Sequence, residues 1–159
     1  MSVNSTAVQG RRKLKFHSLE DVLAEAERLI ASPDTRTIGN WPVSQLVTHL
    51  AIAINASIDG IEGVEVKPPL MLRLLGPLLK RRVLSRGLPA GFKLPKSLEA
   101  TAYPVVESPQ AAVDLLRAAI ERTSREPMNA RNPVFGRLTH DEWTRFHLQH
   151  SAMHLSFAI

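Results

Sequence analysis

The residues of this sequence best suited to chemistry are histidines near its end. The stretch from Thr139 to Ile159 holds four of the six histidines, and His147, His150 and His154 fall at helical spacing. His150 and His154 are four residues apart, so a helix places both imidazoles on one face, where they can bind one metal ion. The sequence therefore presents a candidate metal-binding pair on its last helix.

The neighbours of this pair indicate an interior position. At 3.6 residues per turn, the two histidines share one broad face with Trp143, Phe146, Met153 and Phe157. We expect that face to point into the core, where two imidazoles without partners for their nitrogens are costly to bury. The competing interpretation is a pair of packed or hydrogen-bonded histidines with no ligand. A third donor would favour the metal site.

His49 is the candidate for that third donor. It lies in a segment that is apolar nearly all round, which is typical of a helix buried on more than one side. Its side chain is therefore expected to point inward, although a lone core histidine bonded to a carbonyl or a water fits the same pattern. Gln45 lies one turn before His49 and is a weaker candidate for the same pocket.

The elements that would position these residues are helices. Apolar periodicity, capping residues and prolines predict four main helices and one connecting helix. These cover 18–32, 41–60, 70–87, 108–126 and 139–157, with the third broken near Gly76 and Pro77. Asn40 is expected to cap the second helix, residues 63–69 to form a linker and residues 88–106 an irregular crossover.

This order of elements predicts an all-α fold. It is a four-helix bundle with a long crossover, containing an extra helix, between the second and third bundle helices. Residues 1–12 are polar and are predicted to be a flexible N-terminal segment, and residues 13–159 a single domain. We find no internal repeat.

A bundle brings the core faces of different helices together, so His49 can meet His150 and His154 in the interior. Three neutral imidazoles with open positions resemble a catalytic metal site more than a closed structural one. Zinc or nickel suits such donors, and occupancy is expected to fall as the pH drops through the imidazole range near ~6.5. His147 is ambiguous: it could be a fourth ligand, a second-shell donor, a proton shuttle or a half-exposed residue at the rim.

The amino-acid composition limits the kinds of ligand and partner that the protein can bind. The net charge of +5 and the pI near 10.1 permit anionic ligands, nucleic acid or an acidic membrane surface, but no nucleic-acid-binding motif is present. Cysteine is absent, which excludes thiolate ligands and is compatible with a cytoplasmic protein. The connecting helix carries a basic side formed by Arg73, Lys80, Arg81, Arg82 and Arg86. Three interpretations of it stay open: a solvated face, an anion-attracting rim, or a membrane contact.

Two segments carry a family resemblance. They are NWPVSQLVTHLAIAINASIDG, around His49, and NPVFGRLTHDEWTRFHLQHSAMHLSF, around His150 and His154. They resemble a branch of unassigned function in the DinB-like (YfiT-like) superfamily, and the similarity extends from Gly10 to Phe157. The resemblance implies a four-helix bundle with His49, His150 and His154 as metal ligands. Superfamily members often have glutamine where this chain has Phe157, so a role for that glutamine does not transfer.

The resemblance also implies a chemistry, since the superfamily includes S-transferases and isomerases that use a low-molecular-weight thiol. The leading hypothesis is metal-assisted thiol transfer or hydrolysis on a small, anionic molecule. Ser151 follows His150 where a metalloprotease would have its glutamate, and Asp141 and Glu142 lie about two turns away. The missing base favours a thiol over water. The alternative is a non-enzymatic helical module that binds a partner or forms a homodimer and keeps a vestigial histidine site.

Overall fold

The protein is mostly helical. The computed structural model describes residues 3–61, 70–88 and 108–159, and side chains within 70–77 are not described. In those ranges the helices are α1 (Leu19–Ala31), α2 (Val43–Asp59), α3 (Leu70–Arg86), α4 (Pro109–Thr123) and α5 (His140–Leu155). A two-stranded antiparallel hairpin, β1 (Arg131–Asn132) with β2 (Gly136–Arg137), precedes α5. The predicted predominance of helix is confirmed, and the hairpin is an addition to it.

Local sequence signals set where α1, α4 and α5 begin. Ser18 and Asp21 form a reciprocal capping box at the start of α1. Thr139 and Glu142 do the same for α5, as the sequence predicts. Ser108 accepts from the backbone of α4, and Pro109 fills the first helical position, where no N–H is needed.

The core forms where α1, α2, α4 and α5 meet. Helix α2 packs against α1, α4 and α5, and α1 also contacts α4 and α5. The buried side chains of this cluster are nearly all aliphatic, as the low aromatic content suggests. A second cluster of Met128, Leu138 and Trp143 lies at the N-terminal end of α5. Helix α2 thus lies at the centre of the packing, with a buried face toward α5.

Backbone pairing joins the loop before α2 to the end of α5. Arg36 and Ile159 exchange two hydrogen bonds, and Ile38 donates to the carbonyl of Phe157. Thr37 and Ala158 form an isolated antiparallel bridge. These bonds hold residues just upstream of α2 beside the residues that follow the histidines of α5.

Two boundary predictions are wrong. Helix α3 runs without interruption through Gly76 and Pro77, since an internal proline removes one backbone hydrogen bond but need not end a helix. Helix α2 begins at Val43 with Pro42 at the cap position. Asn40 instead exchanges two hydrogen bonds with the backbone of Val3, which is why it does not cap. The predicted linker at 63–69 and nearly all of the crossover at 88–106 lie outside the described residues.

In the described ranges, no helix has the length and apolarity needed to cross a bilayer. The predicted flexibility of residues 1–12 and the single domain over 13–159 stay predictions. Arg12 nevertheless contacts α1 and the end of α5, through an ion pair with Glu25 and a bond to the carbonyl of Ala158.

The capping box of α5 is open to a direct test. Replacing Thr139 by alanine should lower the free energy of unfolding by about 1 kcal/mol, because a backbone N–H of the first turn loses its acceptor. Thr144→Ala is the matched control, since its hydroxyl only bonds back to the carbonyl of His140 within the helix. Urea denaturation measures both. Equal losses in the two variants would contradict a specific capping role.

Candidate metal centre

The structure brings the three predicted histidines together. One donor atom from each of His49, His150 and His154 lies within 4.8 Å of the others. The Nε2 atoms of His49 and His150 are 3.2 Å apart. The ring centroids of His154 lie 4.6 Å from His49 and 4.5 Å from His150. Three imidazoles from two helices therefore meet at one point and could bind a metal ion.

Each ring is held by packing as well as by its helix. Phe146, one turn before His150, stacks on that imidazole at 5.4 Å. The indole of Trp41 stacks almost parallel on His154 at 5.6 Å and meets His49 edge-on at 5.3 Å. Aromatic contacts of this kind restrict ring orientation. The cluster is thus walled by an indole on one side and a phenyl ring on another.

Trp41 is a site residue that sequence reasoning missed. It precedes the first residue of α2, so helical periodicity does not place it on the His49 face. It reaches the cluster because the preceding loop pairs with the end of α5. A signal was present in the sequence, since tryptophan occurs twice in the chain and one copy lies eight residues before His49.

Helix α5 is turned differently from the predicted orientation. Its most buried residues form a stripe at successive i+4 positions, Trp143, His147, Ser151 and Leu155. His150 and His154 lie beside this stripe and are partly exposed, whereas His49 is 7% exposed. The rotation therefore places these two histidines at the margin of the buried face of α5.

His147 is buried, not at the rim. It is 1% exposed, its ring stacks on Trp143 at 5.4 Å, and Phe146 meets it edge-on. It does not belong to the group of histidines with converging donor atoms, so its position gives no support to a fourth-ligand role. The interpretation as a second-shell donor or proton shuttle stays a prediction.

Burial keeps the imidazoles of His147, His150 and His154 neutral. It lowers the pKa of His150 and of His154 well below the ordinary value, and the neighbouring histidines lower both further. Burial also lowers the pKa of His147 to about 3. A neutral ring is the form that binds a metal ion. The expected loss of metal near pH ~6.5 is therefore revised, because the free rings of His150 and His154 resist protonation until lower pH.

No carboxylate of the described residues joins the cluster. Glu142 bonds to Lys80 and to the backbone of Thr139, and these contacts lower its pKa. Asp59 pairs with Arg122, which lowers the pKa of that carboxyl as well. Both acids are held ionised at other contacts, in agreement with the expectation that neither acts beside the histidines.

Buried polar atoms concentrate around the site. Among the described residues, four buried side-chain atoms have no hydrogen-bond partner: Thr48 Oγ1, His147 Nε2, His150 Nδ1 and Ser151 Oγ. All lie on the two helices that carry the cluster, within three positions of His49 or His150. Such groups are normally satisfied by protein, water or ligand. The interface of α2 and α5 thus retains the hydrogen-bonding capacity that a histidine-bound ion requires around its ligands.

Two surface clefts lie away from the histidines. One, of about 590 Å³, is lined by Asn129, Arg131, Arg137 and Leu138, and the other lies between the C-terminal end of α1 and the start of α4. Neither cleft is lined by a histidine of the cluster. On the basic side of α3, Lys80 is paired with Glu142 at 2.7 Å, while Arg81, Arg82 and Arg86 are exposed.

The burial of His147 predicts a pH dependence of stability. The unfolded chain takes up a proton on this residue near pH ~6.5, but the folded protein does not until about pH 3. Stability is therefore complete above pH ~6.5 and falls as the pH is lowered, by about 1.4 kcal/mol per unit for one such group. In metal-free protein, His147→Phe should reduce this slope by about that amount.

Denaturant unfolding at several pH values between ~4 and ~8 measures the slope. The difference in the free energy of unfolding between wild type and His147→Phe at the highest pH measures the packing effect of the phenyl ring alone. An unchanged slope would mean that His147 is protonated or solvated in the folded state.

The comparison with known proteins gives one family. The family described as "Protein of unknown function (DUF1569)" has a sequence profile that matches residues 8–159. No curated protein and no solved structure matches the chain. The match covers both helices that carry the three histidines, and the resemblance to the DinB-like superfamily stays a prediction. The chain therefore belongs to the DUF1569 family of proteins of unknown function.

Proposed function

We propose that His49, His150 and His154 bind a divalent metal ion in a DinB-like four-helix bundle, and that the site serves thiol transfer or hydrolysis on a small molecule. The observation that carries the proposal is the convergence of three imidazole donor atoms within 4.8 Å. The packing of α1, α2, α4 and α5 around one core supports the bundle interpretation.

The spacing of the donors supports a metal centre. Two nitrogens bound to one tetrahedral zinc ion at 2.0–2.1 Å lie about 3.3 Å apart. His49 Nε2 and His150 Nε2 are 3.2 Å apart, so this pair already has the separation that shared coordination needs. The third donor comes from His154, whose ring centroid lies 4.6 Å from that of His49 and 4.5 Å from that of His150.

The imidazole donors favour zinc or nickel but do not distinguish between them. Imidazole nitrogen suits zinc and nickel, and the site offers no thiolate to narrow the choice. When bound at such a site, the ion lowers the pKa of a coordinated thiol or water. The contribution of the protein is to present three imidazole donors, walled by Trp41 and Phe146.

The absence of a general base beside the histidines favours activation of a thiol over activation of water. Activation of water benefits from a general base, and no carboxylate of the described residues belongs to the cluster. A thiol, with a pKa of about 8.5, ionises without such help far more readily than water does. Thiol transfer is therefore the first choice and hydrolysis the second.

A non-enzymatic module with a vestigial site is the alternative function. The 3.2 Å separation between His49 and His150 is also that of a direct hydrogen bond between two neutral rings. In addition, the two surface clefts described above do not reach the cluster. On this interpretation the rings pack without an ion, and the protein acts through a partner or a second copy.

Metal analysis of tag-free protein distinguishes the metal-binding function from the alternative with a vestigial site. Wild-type protein should bind about one zinc or nickel ion per chain with three protein ligands. His150→Ala should lose it, because two imidazoles remain, while His17→Ala, outside the cluster, should retain it. Equal metal content in wild type and His150→Ala would refute the assignment.

Thiol binding can be followed directly in the cobalt-substituted protein. Addition of 2-mercaptoethanol should produce a sulfur-to-cobalt charge-transfer band, because three protein ligands leave a coordination position for a thiol. The band should be absent from His150→Ala. A screen for transfer of the thiol to electrophiles, with metal-free protein as the control, then tests turnover. Bound cobalt without a thiol band would overturn the thiol proposal and leave the metal site standing.

A further inference from the structure

Arg11 reaches the same end of α5 as the histidine cluster. Its Nε and Nη2 atoms donate to Ser156 Oγ at 2.9 and 2.7 Å, and Nη2 also donates to the carbonyl of Met153 at 3.2 Å. Its guanidinium carbon lies 4.3 Å from the centre of the Phe157 ring. Met153 precedes His154 and Ser156 lies two residues after it, so these bonds hold the guanidinium at the C-terminal end of α5, close to the backbone of that residue.

The contacts continue from Arg11 to the cluster. The Phe157 ring, on which the guanidinium lies, is packed so tightly against Gly39 that a Cβ there would be 3.1 Å from it. Gly39 is two residues from Trp41, whose indole stacks on His154. The charge of Arg11 also acts on His154 and lowers the pKa of that imidazole. Arg11 and the histidines thus belong to one neighbourhood.

Arg11 retains unused hydrogen-bonding capacity. Its Nε–H and the two N–H groups of Nη2 are accounted for by Ser156 and Met153. Across the described residues, Nη1 donates to no acceptor, although a guanidinium has five N–H donors in a planar fork. The fork matches carboxylate, sulfonate and phosphate groups. Two donors therefore remain for an anionic ligand.

The positive charge of the Arg11 guanidinium is not neutralised by an acidic side chain of the described residues. No carboxylate of the described residues pairs with Arg11, whereas the adjacent Arg12 pairs with Glu25. The aromatic face of Phe157 and the carbonyl end of α5 offset part of the charge of Arg11. A metal ion held by three neutral imidazoles would add two further positive charges nearby. Such a site attracts a negatively charged group.

We infer that Arg11 is the anion-binding residue of this site and receives the carboxylate, sulfonate or phosphate group of a small ligand whose donor atom binds at the histidines. This inference rests on the proposed metal centre. The chemical class that it assigns to the ligand is a thiol, or a hydrolysable molecule, that carries an anionic group near its reacting atom.

Two thiols of similar size test the inference. In cobalt-substituted protein, the charge-transfer band gives the dissociation constants of 2-mercaptoethanesulfonate and 2-mercaptoethanol. A sulfonate is a poor metal ligand, so a preference for the first thiol reports on its charge. Wild type should prefer the sulfonate by about tenfold. Arg11→Gln should lose the preference and keep its cobalt, and Arg11→Lys should restore part of it.

Arg12→Gln is the matched control. Arg12 also donates to carbonyls at the end of α5, Leu155 and Ala158, but its charge is paired with Glu25. The substitution removes one positive charge from the adjacent position and should leave the preference intact. Thermal unfolding of the Arg11 and Arg12 variants measures any purely structural role, which would not change the ratio of the two dissociation constants.

The outcomes separate the two proposals. Wild type that binds no cobalt overturns the metal centre and this inference with it. Bound cobalt and a thiol band with no preference for the sulfonate overturn this inference alone. So does a preference that survives in Arg11→Gln or disappears equally in Arg12→Gln. Should Arg11→Gln not fold, Arg11→Lys decides: lysine keeps the charge but lacks the planar fork, so a preference equal to that of wild type would overturn the inference.

Discussion

Helices α2 and α5 approach each other closely enough to place His49 Nε2 3.2 Å from His150 Nε2. This approach is possible because α2 is buried against three other helices and because the loop before it is bonded to the residues that follow α5. The histidine cluster, the aromatic walls and the position of Arg11 all depend on it. A shift of either helix along its axis would separate the donors, since α5 carries two of them and α2 carries the third.

The cluster is costly as a set of buried polar groups. Each ring nitrogen that lacks a partner loses the hydrogen bond that it makes to water in the unfolded chain. Burial holds the imidazoles neutral, which avoids the larger cost of buried charge and leaves electron pairs available for coordination. The structure thus maintains, at the contact of two helices, a group of polar atoms that are costly to bury. That arrangement is more easily explained by binding than by stability alone.

The sequence predicted the helices and the three converging histidines. These follow from local chemistry and from helical periodicity, which needs only the spacing of residues. It did not predict the rotation of α5, because His147 and His150 lie on overlapping faces and tertiary packing decides which is buried. It also missed Trp41 and Arg11. Both lie outside the helices, and contacts between distant parts of the chain bring them to the site. The predicted break of α3 near Pro77 was also wrong. A proline weakens a helix, but it does not fix where the helix ends.

The two facing nitrogens belong to residues 101 positions apart in the chain, and the bridge between Thr37 and Ala158 joins still more distant segments. Contacts of such long sequence separation carry a loop-closure cost and tend to form late in folding, after local helices have appeared. The histidine cluster should therefore be absent from partly folded states that already contain every helix. Its assembly marks completion of the fold, and loss of order at the end of α5 would separate its donors while the contacts among α1, α2 and α4 remain.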